Sequence, residues 1–130
     1  MLHREITQRI IRAFYDVYNT LGYGFLERVY ENAFTLSLQA DGLQAEQQVR
    51  IEVFYQGCSV GVYRADVLVE DLVLVEIKAA ESLRTEHEAQ LTNYLRATRY
   101  EVGLLLNFGK RPQFARRVFS NSRKGETRSD

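Results

Sequence analysis

Apolar residues recur along the first third of the chain at helical spacing. The pattern predicts one helix from about Glu5 to Thr20, which Gly22 can terminate, and a second from about Leu26 to Ala40. The first helix has a single apolar face, made by Ile6, Ile10, Phe14, Val17, Tyr18 and Leu21. The predicted packing stripe of the second consists of Leu26, Val29, Ala33, Leu36 and Ala40. Glu27, Tyr30 and Phe34 adjoin that stripe, so Glu27 is expected at the edge of the buried face.

Strand-like patterns follow. Residues 48–55 alternate apolar and polar positions, and Gln56-Gly57 turns the chain into a second strand over residues 58–69. Glu70-Asp71 turns it again into a third strand, whose residues from Leu72 to Val75 are apolar on both faces. The middle of the chain therefore predicts a three-stranded antiparallel meander.

A third helix is predicted after the meander, with Thr85 as N-cap and Glu88 completing a capping box. It runs to about Arg99, and its inward side carries Leu91, Tyr94 and Leu95. The apolar segment 102–108 reads as a buried strand reached by this helical crossover, and residues 114–119 as a last edge strand. The sequence thus predicts one α/β domain over residues 1–120, with helices flanking a mixed central sheet, and a disordered tail over 121–130.

Composition narrows the class of protein only a little. The chain is 45% hydrophobic and 26% charged, with a formal net charge of +0, as expected of an ordinary globular domain. Its basic residues concentrate between Lys110 and Arg128, which is typical of a solvated end or of a phosphate-binding surface. Cys58 is the only cysteine, which excludes an intrachain disulfide, and one cysteine with two scattered histidines fits no zinc-site spacing. Without a signal-like or membrane-spanning segment, we expect a cytoplasmic protein.

The third strand ends with two charges that are costly to bury. Glu76 and Lys78 are two residues apart, so both side chains leave the same face of the sheet. One interpretation is that they neutralise each other at a frayed strand end. The other is a functional site, because Asp66 lies on the neighbouring strand and Glu27 on a helix expected to cover the sheet.

Three carboxylates gathered in a cleft repel one another, and a bound cation would relieve that repulsion. Carboxylate oxygens suit Mg²⁺ or Mn²⁺, and Asp66, Glu76 and Glu27 are the candidate ligands. A lysine beside the ion can orient a water for phosphodiester hydrolysis, a role available to Lys78. Each residue also has an ordinary alternative as a solvated or helix-terminal group.

The turn between the second and third strands decides whether such a site can form. A two-residue turn at Glu70-Asp71 pairs Asp66 with Val75 and puts Asp66 and Glu76 on opposite faces. A three-residue connection pairs Asp66 with Leu74 or with Glu76, and a bulge serves equally. The hypothesis requires one of the latter arrangements.

Several motifs together resemble a known family. Asp66, then Glu76-Ile77-Lys78, then the segment 90–94 with Gln90 and Tyr94 resembles the D…(D/E)xK…QxxxY signature of the PD-(D/E)XK nuclease superfamily, in its RecB-like branch. Residues 24–30, GFLERVY, resemble the family of small proteins named after the GxxExxY motif. The resemblance covers about residues 5–117. Arg64-Ala65-Asp66 departs from the Pro-Asp pair in the superfamily's name.

The resemblance implies a restriction-endonuclease-like αβββαβ core in which Asp66 and Glu76 bind Mg²⁺ or Mn²⁺. It also implies that Lys78 assists the water, that Glu27 adds an acidic contact, and that Gln90 and Tyr94 align the site or the substrate.

The implied function is a metal-dependent nuclease acting on DNA in preference to RNA. The alternatives are a non-catalytic nucleic-acid-binding or complex-forming module that keeps the fold, and a small-molecule phosphoesterase. No element suits base readout, so we expect weak sequence preference, with a homodimer or a partner protein as the means of targeting.

Overall fold

The computed structural model describes residues 1–124 as helices flanking a five-stranded sheet. The elements are α1 (Arg4–Leu21), α2 (Glu27–Ala40), β1 (Ala45–Tyr55), β2 (Cys58–Val69), β3 (Val73–Lys78), α3 (Thr85–Arg96), β4 (Val102–Phe108) and β5 (Pro112–Val118). Sheet order is β1-β2-β3-β4-β5, with β3 and β4 parallel and the other neighbours antiparallel. The predicted α/β class with a mixed sheet flanked by helices is confirmed, with element boundaries moved by a few residues.

One face of the sheet is covered by α1 and α2. The predicted face of α1 is confirmed, since Ile10, Phe14 and Val17 are buried there. The predicted stripe of α2 is wrong: Leu26 is 81% and Leu36 66% exposed, and Val29 is exposed as well. The buried face of α2 instead consists of Tyr30, Glu31, Phe34, Thr35 and Leu38. Tyr30 and Phe34 are both fully buried on this face, and the Tyr30 ring stacks on Phe108, which explains the choice of face.

The other face is covered by α3. Leu91, Tyr94 and Leu95 are its buried residues, as predicted. The predicted N-cap is one residue late, because Arg84 is the N-cap and its backbone N–H donates to His87 Nδ1 at 3.1 Å. Thr85 therefore begins the helix, and the imidazole accepts the hydrogen bond that Glu88 was expected to accept.

The connection between β2 and β3 has three residues, Glu70-Asp71-Leu72, since Val69 faces Val73. Glu70 (φ 54) and Asp71 (φ 53) are both left-handed, as the tightest hairpin turns require. Asp71 is fixed from outside the turn by Arg99 at 2.6 Å and by the hydroxyl of Tyr100 at 2.7 Å. Contacts of this kind stabilise a conformation that non-glycine residues otherwise disfavour.

The β1–β2 hairpin reverses its faces halfway along. Val67 packs with the α1 and α2 cluster, whereas Ala65 packs with the cluster of α3. Residues two apart in a regular strand share a face, so the reversal occurs at Asp66. Opposite Asp66 in the register lies Gln48, whose φ is 56. This left-handed residue turns the outer half of the hairpin, residues 49–65, towards α3.

The predicted tail is described only as far as residue 124. Asn121–Arg123 form a short 3₁₀ helix, and the Arg123 guanidinium lies over the Phe119 ring at 4.8 Å. Residues 125–130 lie outside the described residues.

Candidate active site

The β2–β3 pair opens at the end that carries the predicted acidic residues. Its ladder ends where Val67 faces Val75, so the next position sets Asp66 opposite Glu76. β2 continues along β1, while β3 continues along β4 as far as Lys78. The sheet therefore forks at Asp66 and Glu76, and the connection has the odd length that a shared site requires.

Each carboxylate at the fork accepts a backbone hydrogen bond from the opposite strand. Glu76 Oε2 accepts the Asp66 N–H at 2.8 Å, and Asp66 Oδ2 accepts the Ile77 N–H at 2.7 Å. Within the described residues, Asp66 Oδ1 and Glu76 Oε1 accept no hydrogen bond. One oxygen of each carboxylate is therefore left for a ligand.

The protein does not fully compensate the negative charge that Asp66 and Glu76 would both carry when ionised. Burial, followed by the neighbouring charge of Asp66, raises the pKa of Glu76 to about 8, and Glu76 is only 4% exposed. Burial also raises the pKa of Asp66, against the hydrogen bond from Ile77. The charge of Lys78 lowers the pKa of both carboxyl groups, but it does not cancel the rise. Uncompensated carboxylates of this kind are typical of a site that binds a cation.

Lys78 ends β3 on the face that carries Glu76. Across residues 1–124, no ion pair within 4.0 Å joins Lys78 to Asp66 or Glu76. The interpretation of Glu76 and Lys78 as a close neutralising pair is therefore not supported. The ammonium lies near the fork while remaining available to a substrate or a water.

The backbone after Lys78 is held by the end of β4. Asn107 is fully buried; its Oδ1 accepts the Ala80 N–H and its Nδ2 donates to the Ala80 carbonyl, both at 2.9 Å. A Cβ at Gly109 would meet the Ala80 oxygen at 2.0 Å, so only glycine lets the two segments approach this closely. Asn107 and Gly109 thus fix the segment that follows the lysine.

Glu27 approaches the site from the helix layer on the other face. It is the first residue of α2, and its Oε2 accepts the Ala79 N–H at 3.2 Å, at the end of β3. Its charge contributes to the raised pKa of Asp66. The Glu27 carboxylate therefore lies beside the fork, at the end of β3.

The other two residues of GxxExxY hold the loop in front of α2. Gly24 has a φ of 111, which side chains disfavour. The Tyr30 hydroxyl donates to the Gly22 carbonyl at 2.7 Å and accepts the Phe25 N–H at 3.2 Å. The Tyr30 ring stacks on Phe108 at 4.5 Å between ring centroids. The motif tyrosine thereby anchors the start of α2, and with it Glu27, to the end of β4.

Tyr94 reaches the fork from α3, whereas Gln90 lies beside it. Burial and the charges of Glu76 and Asp66 raise the pKa of Tyr94 to about 12, so the phenol stays neutral. Gln90 lines a groove next to Tyr94, and its side chain makes no hydrogen bond within the described part of the chain.

One acidic residue near the fork, Glu31, was not predicted from the sequence. Glu31 is 4% exposed, and its carboxylate accepts hydrogen bonds from Gln47 at 2.8 Å and Gln48 at 2.9 Å. Its charge contributes to the raised pKa values of Asp66 and Glu76. The available signal was its position four residues after Glu27, on the same side of the helix.

The donor set suits an ion that keeps much of its water. In the described residues, no group of three or more histidine, cysteine, aspartate or glutamate side chains is arranged to hold a metal. The structure instead offers the facing pair Asp66 and Glu76, with Glu27 beside them at the Ala79 N–H. Mg²⁺ commonly takes one or two carboxylates with water and substrate oxygens, so this pair fits such an ion.

The basic segment at the end of the chain makes mainly internal contacts. Arg116 donates to the Leu2 carbonyl, Arg117 pairs with Glu88, and Lys124 donates to backbone carbonyls after α3. Lys110 and Arg111 are exposed, and Arg128 lies outside the described residues. Of the helices described, none is long and apolar enough to span a membrane.

Comparisons with known proteins agree with this fold. A family model of the PD-(D/E)XK nuclease superfamily matches residues 4–118. The crystal structure of SSO0001 is similar at 22% identity with a TM-score of 0.56, over 72% of this chain and 50% of that one. The chain therefore spans half the length of SSO0001, and a likeness at this identity shows the fold alone. No curated protein matches the sequence.

Proposed function

The chain belongs to the PD-(D/E)XK nuclease superfamily, and from that premise we propose that it is a metal-dependent nuclease hydrolysing phosphodiester bonds, of DNA in preference to RNA. The observation that carries the proposal is the fork, where Asp66 and Glu76 face each other and each keeps one oxygen without a hydrogen bond. A module that only bound nucleic acid would have no use for buried, uncompensated carboxylates facing phosphates.

Asp66 and Glu76 would hold Mg²⁺ or Mn²⁺ with these oxygens. When bound, the ion supplies a more acidic water and a counter-charge for the phosphate. Glu27 would add an acidic contact, directly or through a water, from its position at the Ala79 N–H.

The remaining site residues act on the water and the substrate. Lys78 would orient the attacking water and donate to the phosphate, since its ammonium lies near both carboxylates without pairing closely to either. The neutral hydroxyl of Tyr94 would donate a hydrogen bond at the fork, and Gln90 would align the strand that passes beside it.

The proposal extends to the narrower family and to the setting. Gly24, Glu27 and Tyr30 support membership of the GxxExxY family. Gly24 and Tyr30 shape the loop before α2, and that loop places the Glu27 carboxylate at the end of β3. A cytoplasmic location, weak sequence preference, and targeting by a homodimer or a partner protein remain predictions from the sequence.

The decisive experiment is cleavage of plasmid and single-stranded DNA by the purified protein with Mg²⁺, with Mn²⁺ or with EDTA. We expect cleavage with either metal and none with EDTA. Lys78→Ala should lower the rate by about 100-fold or more, which is the scale of a lost proton-transfer group. Lys78→Arg should fail as well, because a guanidinium stays protonated and has a different shape.

The matched control is Arg12→Ala, which removes an exposed basic side chain of α1. It should keep the turnover rate, and calorimetry should show that Lys78→Ala still binds metal. Cleavage that survives in Lys78→Ala would contradict the assignment. Metal-independent binding of nucleic acid without cleavage would favour the non-catalytic module.

A further inference from the structure

A groove of about 480 Å³ lies between α3 and the outer half of the β1–β2 hairpin. It exists because the hairpin reverses its faces at Asp66 and turns its outer half towards α3. Its lining includes Val53, Val60, Gly61 and Tyr63 from the hairpin, and Gln90, Asn93 and Tyr94 from α3.

Tyr94 connects this groove to the fork. Its hydroxyl is influenced by the charges of Glu76 and Asp66, while its ring lines the groove. Tyr63 lies 5.8 Å from it between ring centroids, with the planes at 46°, and is 50% exposed. A nucleic-acid strand with a phosphate at the fork would therefore meet the exposed Tyr63 ring where the strand continues along the groove.

The polarity of the groove suits a base better than a phosphate. Its charged residues already have partners, since Glu86 pairs with Arg84 at 3.5 Å and the Arg96 guanidinium lies over the Phe119 ring at 5.0 Å. The side-chain amides of Gln90 and Asn93 make no hydrogen bond within residues 1–124. Free amides can donate to and accept from base edges, and aromatic rings stack on base faces.

We infer that this groove takes a nucleobase of an unpaired strand, next to the phosphate held at the fork. Tyr63 stacks on the base, and the amides of Gln90 and Asn93 contact its edge. The inference rests on the proposed function for the position of the phosphate, and it adds that the substrate strand is single or locally unpaired. A paired base would be stacked in its duplex and unable to enter.

The test compares two ligands of equal charge, an oligothymidylate of about eight nucleotides and an abasic strand of the same length. Affinities are measured by fluorescence anisotropy with Ca²⁺, so that cleavage does not interfere. We expect the wild-type protein to prefer the strand with bases by about tenfold, and Tyr63→Ala to reduce that preference by about fivefold or more. Tyr63→Phe should keep the preference, because stacking needs the ring alone.

Tyr55→Ala is the matched control, since Tyr55 is a 61% exposed tyrosine of the same hairpin that does not line the groove. It should leave the preference unchanged. Equal affinity for both strands, no measurable affinity for either, or an equal loss in Tyr55→Ala would overturn the inference. So would a dimer, detected by sedimentation, that Tyr63→Ala abolishes. Metal-dependent cleavage with no base preference would refute base binding in the groove and leave the proposed nuclease activity standing. A base preference with no metal-dependent cleavage would refute the nuclease activity alone.

Discussion

Asp66 and Glu76 each complete the backbone hydrogen bonding of the other's strand. The regular ladder ends one pair earlier, and the two carboxylates accept the N–H groups of Asp66 and Ile77 in its place. A buried N–H without a partner costs about 1–3 kcal/mol, so truncating either side chain would disturb the fold as well as the site. Amide variants keep an acceptor oxygen at the same position and separate these two effects.

The first prediction concerns metal binding. Mg²⁺ or Mn²⁺ at 100 times its dissociation constant should stabilise the protein by about 2.7 kcal/mol, which raises the melting temperature by several degrees. Asp66→Asn and Glu76→Gln should abolish most of that rise, because each replaces a charged ligand by a neutral amide. Thermal melts with and without the metal measure it.

Asp16→Asn, an exposed change on α1, is the control and should melt as the wild-type protein does with either metal. Unchanged metal affinity in both fork variants, measured by calorimetry, would show that the ion binds elsewhere.

The second prediction concerns pH in the absence of metal. The folded pKa of Glu76, about 8, lies above its unfolded value of about 4.3, so the folded state favours the protonated form. That contribution to stability is fully present below the unfolded pKa and is lost as the pH rises towards 8. In EDTA, Glu76→Gln should therefore gain stability relative to the wild-type protein between pH 5 and pH 8. Melting temperatures of both proteins across this range measure the difference, and a constant difference would contradict the prediction.

The sequence limited the register of the β2–β3 turn to a few options but could not choose among them. Glu70-Asp71 lacks the glycine or asparagine that usually marks left-handed turn residues. The choice depends on Arg99 and Tyr100, which are close to the turn only in the folded chain. The site residues could be named from motif spacing, while their shared register depended on these distant contacts.

The face of α2 and the role of Glu31 escaped prediction for a related reason. The helix carries two adjoining apolar stripes, and the stacking of Tyr30 on Phe108 decides which one is buried. With that face inward, Glu31 is buried too, which the hydrogen bonds from Gln47 and Gln48 make tolerable. None of these partners is near in sequence, so periodicity alone could not identify them.

A third prediction concerns Asn107. Asn107→Ala removes both hydrogen bonds to Ala80 and should lower the free energy of unfolding by about 1–3 kcal/mol, measured by urea denaturation. It should also lower the cleavage rate, since the segment after Lys78 loses its anchor. Asn19→Ala, at an exposed position of α1, should change neither quantity. Loss of stability with an unchanged rate would limit Asn107 to a structural role.

The last prediction separates the two parts played by the GxxExxY motif. Tyr30→Phe keeps the ring stacked on Phe108 but removes the hydroxyl that bonds to Gly22 and Phe25, so it should cost about 1 kcal/mol of stability. If the hydroxyl acts by holding Glu27 at the end of β3, Tyr30→Phe should lower the cleavage rate because it displaces the same carboxylate that Glu27→Gln neutralises.

The double variant should then cleave no more slowly than Glu27→Gln alone, because coupled residues are not additive. Tyr23→Phe, which alters an exposed tyrosine of the same loop, should leave the rate unchanged. Additive losses in the double variant would mean that Tyr30 supports the site independently of Glu27, through the packing of Phe108 at the end of β4.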